Sequence, residues 1–101
     1  MLEIHRQGDL LFIPIDKIPE DAKTKEDGVI AEGEATGHKH QIRSSREAVL
    51  KLAVGIAYLQ CLQKTHVDHQ EHGTTVLPAG VNFRVQRQRE YEPDGFRQVA
   101  D

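Results

Sequence analysis

The sequence predicts a mainly β domain, a small antiparallel barrel or sandwich of about six to eight short strands, and three observations carry that expectation. Short apolar or alternating runs recur with turn signals about every ten residues. Glycine and proline punctuate those runs. The longest apolar stretch, residues 48–62, is patterned badly for a helix lying on the surface of so short a chain.

The elements can be justified in order. Residues 8–14 (Gly-Asp-Leu-Leu-Phe-Ile-Pro) follow a Gly-Asp turn signal and stop at a proline, as an early core strand does. Residues 16–28 are charged and offer few apolar groups, which predicts a solvated loop. Residues 29–37, with Gly33 and Gly37, lead into the alternating segment His38-Lys-His-Gln-Ile42, the pattern of two strands joined at a glycine-rich bend.

Residues 45–63 admit two readings. Ser44-Ser-Arg-Glu47 matches a helix-capping box, so an α+β fold with a central helix is the alternative. Only Lys51 and Gln60 would mark a wet face of that helix, and they fall on opposite sides of it. A hairpin, 48–53 paired with 56–62 and turning near Val54-Gly55, buries the same residues without that conflict and is favoured. Residues 65–73 are polar and read as a loop. Residues 74–80 read as a strand broken by a Pro-Ala-Gly turn. In 81–88 Val81, Phe83 and Val85 alternate with Asn82, Arg84 and Gln86, as in a half-buried antiparallel strand. Pro93-Asp-Gly95 signals a turn before a short last strand at 96–99.

All this fits one domain over residues 1–101. Its core is thin at this length, and self-association into a dimer or larger is expected. Thirteen Lys and Arg against sixteen Asp and Glu argue against a nucleic acid partner. The charged N-terminus and the lack of a long apolar run predict no export signal and no membrane span. Cys61, the single cysteine, rules out an intrachain disulfide, and the chain reads as cytoplasmic.

Six histidines stand out, five of them in two groups. On a strand His38 and His40 leave the same face and can share one ion. His66, His69 and His72 recur every third residue. A divalent metal held by His38, His40, His69 and His72 is the expected site, with His66, Glu71 and Glu34 as second-layer partners or alternative ligands. Zinc is the first choice, with iron or nickel possible. Four ligating rings would make a structural staple, whereas three plus water would leave a position for chemistry. No catalytic residue can be assigned, and whether the protein is an enzyme stays open. The alternative is a metal-free interaction module or assembly subunit whose Arg84, Arg87 and Arg89 contact an anionic partner.

Two resemblances rest on particular segments. His38-x-His40 and the later Pro78-Ala-Gly80 turn resemble a fragment of the cupin pattern, in which a strand-borne His pair and a Pro-x-Gly turn precede another strand. Over its full length the chain is similar to small uncharacterised prokaryotic proteins that share Gly-Glu-Ala-Thr-Gly-His-x-His, His-x-x-His-Gly and Arg-Gln-Arg-Glu-Tyr segments, here 33–40, 69–73 and 87–91. That likeness implies a single full-length domain.

Overall fold

A computed structural model describes residues 2–33, 37–88, 90–92 and 95–97. Ten strands form two antiparallel sheets. In chain order they are β1 (His5–Gln7), β2 (Leu10–Ile15), β3 (Lys23–Thr24), β4 (Val29–Glu32), β5 (Lys39–Ile42), β6 (Ala48–Ala53), β7 (Ile56–Cys61), β8 (Thr65–His69), β9 (Gly73–Leu77) and β10 (Asn82–Arg87). The first sheet has the order β1-β2-β10-β7-β6-β3 and the second β4-β5-β8-β9. Separately, β11 (Glu90–Glu92) pairs antiparallel with β12 (Gly95–Arg97); Pro93 and Asp94 of the expected turn fall outside the described residues.

The architecture is a sandwich and not a closed barrel, because each sheet keeps two edges. Alternation supplies its core. Leu10 and Phe12 on β2, Ala48 and Leu50 on β6, Leu59 and Cys61 on β7 and Phe83 on β10 face Ile42, Val67 and Leu77 of the smaller sheet. A second cluster on the other face of the large sheet packs Tyr58 and Ala53 against Ile18, Ile15 and Ala22. The charged segment 16–28 is therefore not wholly solvated: two of its apolar residues cover Tyr58, and Lys23 and Thr24 pair with Leu52 and Lys51.

Residues 48–61 form the hairpin and not the helix, in register from Ala48↔Cys61 to Ala53↔Ile56. The capping-box residues still make a cap-like closure, with Glu47 N donating to Ser44 O at 3.0 Å and Arg46 N to Ser44 Oγ at 3.2 Å, but the chain then extends. Residues 65–73 correct the sequence expectation of a loop. Thr65, Val67 and His69 are buried while His66 and Asp68 point outward, a strand alternation disguised because two of its three inward residues are polar.

Candidate functional site

The site lies at one end of the sandwich, where turns from both sheets meet. The two-residue Gly8-Asp9 turn joins β1 to β2, with Gly8 in the left-handed region (φ 58°). In the facing sheet β5 carries His40 inward, and the turn 70–72 joins β8 to β9. Gln70 ties these parts together, its Oε1 accepting from Lys39 N at 2.8 Å.

Four of the six histidines converge here. The His69 ring lies 4.3 Å from that of His40, 4.7 Å from that of His72 and 5.6 Å from that of His38, centroid to centroid. Alternation explains the inner pair: His40 and His69 sit at inward positions of β5 and β8 and are 0% and 6% exposed. His38 and His72 form the rim. Glu71 is also at the rim, its Oε1 4.0 Å from His38 Nδ1. His66 points away from the cluster. Its backbone N donates to Glu47 Oε1 at 2.7 Å, and its Nδ1 lies 3.1 Å from Glu47 Oε2. Glu34 lies outside the described residues.

The hydrogen bonds fix where protons sit. Gln7, 2% exposed, donates through Nε2 to Val67 O at 2.7 Å and to Gly73 O at 2.9 Å. With the amide nitrogen so committed, its oxygen faces His40 Nδ1 at 2.9 Å. A carbonyl oxygen only accepts, so His40 Nδ1 carries a hydrogen. His69 has the opposite arrangement: its Nδ1 accepts from the backbone N of Glu71 at 3.0 Å and of His72 at 3.1 Å, which puts the proton of the neutral ring on Nε2.

Sequence reasoning missed the carboxylate at the centre of this arrangement. Asp9, 1% exposed, places Oδ1 3.7 Å from His40 Nε2. Its Oδ2 accepts from Arg87 Nη1 at 2.5 Å, and its backbone O accepts from Gln88 N at 2.7 Å. Gly-Asp at a strand start reads as a turn signal, and nothing in its local pattern shows that the turn is folded inward. Arg87 shares the inward face of β10 with Phe83 and also donates to Glu32 O at 3.1 Å, so its guanidinium belongs to this site. Arg84, three residues earlier, leaves the opposite face and donates to Gln86 Oε1 at 3.1 Å. These two arginines do not share a face, and Arg89 lies outside the described residues.

Imidazole nitrogens beside a carboxylate are donors suited to zinc and other first-row divalent ions. Among the described residues, however, no three His, Cys, Asp or Glu side chains stand arranged to hold a metal ion. His40 Nε2 and Asp9 Oδ1 are the pair already aimed at each other. Cys61 is buried in the core, where loss of water pushes its thiol pKa up, and it takes no part. A separate groove lined by Lys25, Asp27, Arg43 and Leu50 contains no histidine.

Fold and site together define a small antiparallel β sandwich with a histidine- and aspartate-lined end. The chain belongs to a family described as a domain of unknown function (DUF8820), which matches residues 6–88 and so takes in every residue of the site. No curated protein and no solved structure matches the chain. Among the described residues no helix is long and apolar enough to cross a membrane.

Proposed function

We propose that this domain binds a divalent transition metal, zinc first, at the histidine-lined end of the sandwich, with donors drawn from the cluster of His38, His40, His69 and His72. The observation that carries the reading is the convergence of these rings, His69 lying 4.3–5.6 Å from each of the other three although the two pairs are some thirty residues apart in the sequence. Side chains at the rim of this cluster would have to turn inward to reach an ion whose bonds to nitrogen are about 2.0–2.1 Å long. His72 and Glu71 are exposed on the turn, so rotation there disturbs no core packing. A bound zinc would supply a fixed positive charge and Lewis acidity at this end of the molecule.

The test is calorimetric titration of zinc chloride into protein purified without an affinity tag and stripped with chelator. One equivalent should bind with a Kd of about 1 μM or tighter, and His40→Ala should weaken binding at least about tenfold. Absence of saturable binding in the wild-type protein would refute the reading. Self-association is part of the same proposal. It is supported by exposed Val76 on edge strand β9 and exposed Leu2 and Ile4 beside edge strand β1, and is checked by sedimentation velocity.

A further inference from the structure

We infer that the ion is held first by His40 Nε2 and Asp9 Oδ1, bridging the two sheets, and that His69 lines the site without ligating. The inference rests on the metal-binding reading and adds to it a ligand absent from the histidine groups, together with the reason one of the four rings is excluded.

The argument is a count of protons. Gln7 cannot turn its amide over without losing two hydrogen bonds to backbone carbonyls, at 2.7 and 2.9 Å, so it fixes His40 as the Nδ1–H tautomer. In the neutral ring the lone pair is then on Nε2, and Nε2 faces Asp9 Oδ1 at 3.7 Å. A neutral imidazole nitrogen and a carboxylate oxygen turned toward each other are two donors of the kind a divalent first-row ion takes. The spacing is too long for a direct hydrogen bond and close to the ~3.3–3.5 Å between two donors on one tetrahedral zinc. Asp9 is held for this role from behind: Arg87 takes Oδ2, which leaves Oδ1, without a hydrogen-bond partner among the described residues, turned to His40.

His69 is prepared differently. Its Nδ1 lone pair already receives the N–H groups of Glu71 and His72, so ligation through Nε2 would require an imidazolate or the loss of both hydrogen bonds. The ring therefore stays an Nε2–H donor beside the ion. Further ligands would have to come from the rim, where His38 and His72 flank the His69 ring and Glu71 Oε1 lies 4.0 Å from His38 Nδ1. Gln7 acts as a positioning residue: it makes no bond to the ion and sets which nitrogen of His40 is offered.

The experiment combines nitrogen-15 histidine correlation spectra of the wild-type protein, with and without zinc chloride, and zinc titrations of Asp9→Asn. Before zinc, His40 should show the Nδ1–H tautomer and His69 the Nε2–H tautomer. On zinc addition the His40 Nε2 resonance should move to the metal-bound range while His69 keeps its Nε2 proton, and the Asp9 carboxylate carbon should shift. Asp9→Asn should lower zinc affinity by about tenfold or more. A His40 Nε2–H tautomer, zinc on His69 Nε2, or an Asp9 carboxylate unmoved by bound zinc would each overturn the inference while leaving metal binding intact. Failure of the wild-type protein to bind zinc would overturn both. If Asp9→Asn does not fold, the wild-type spectra alone decide.

Discussion

Val54 is the one described non-glycine residue with positive φ, at 51°, and it is followed by Gly55 at 75°. Two consecutive left-handed residues between paired positions Ala53 and Ile56 are the geometry of a type I′ hairpin turn, which suits Asn-Gly best. A β-branched side chain there costs about 1–2 kcal/mol, and at 92% exposure Val54 gains little from packing in return. Val54→Asn should therefore stabilise the protein by about 1 kcal/mol, read as a higher urea midpoint with unchanged slope; no gain would mean that the turn relaxes to another form. Gln7 is the opposite case. It satisfies two backbone carbonyls and one imidazole N–H, all at the buried end of the sandwich. Gln7→Leu should cost about 2–4 kcal/mol and lower the melting temperature by roughly 10–20 °C, measured by circular dichroism. At this scale the sequence was least legible. Gln7 and Asp9 look like ordinary turn-flanking polar residues, and only the long-range fold brings them against His40.

The element scale was read better, because strand periodicity is a local property. The 48–61 hairpin was legible from the placing of Lys51 and Gln60, since polar residues that no helix could put on one side fit paired strands. Strand β8 was not, because its inward face carries Thr65 and His69 beside Val67, and a pattern reader scores those as loop residues. What fastens β8 to the preceding turn is Glu47. Its carbonyl accepts from Leu62 N at 2.8 Å, Gln63 N at 3.0 Å and Thr65 Oγ1 at 3.2 Å, and its carboxylate holds His66. The backbone N–H of His66, and then its ring, keep the Glu47 carboxyl below its ordinary value of 4.5. Asp68 is held low in the same way, chiefly by Arg43. For a carboxyl with lowered pKa in the folded state, the stabilisation is present above the unfolded pKa and is lost as pH falls through the folded one. Urea midpoints of the wild-type protein should thus drop as the pH falls below about 4.5, and Glu47→Gln should be less stable near neutrality with a flatter acid limb. Equal pH dependence in the two proteins would show that the Glu47–His66 contact contributes nothing.

For the whole molecule, the apolar core joins the two sheets, and at the histidine end polar side chains cross between them as well. Gln7 reaches from the large sheet to β8 and β9, Arg87 reaches to Glu32, and Asp9 faces His40. Buried polar contacts of this kind contribute little net stability, so this end should open more readily than the apolar part. An ion shared by Asp9 and His40 would change that, since one donor belongs to the turn entering β2 and the other to β5. By mass action, zinc at a hundred times its Kd stabilises by about 2.7 kcal/mol, which for a domain of this size raises the melting temperature by roughly 10–20 °C, reversibly with chelator. That rise follows from affinity wherever the ion sits, so the bridging is tested by hydrogen exchange. Gln88 N, bonded to Asp9 O at 2.7 Å, reports on the large sheet, and Gly33 N, bonded to His38 O at 2.8 Å, reports on the small one. Zinc held between Asp9 and His40 should slow exchange at both amides, whereas zinc held only by His38, His72 and Glu71 should slow Gly33 and leave Gln88 as it was.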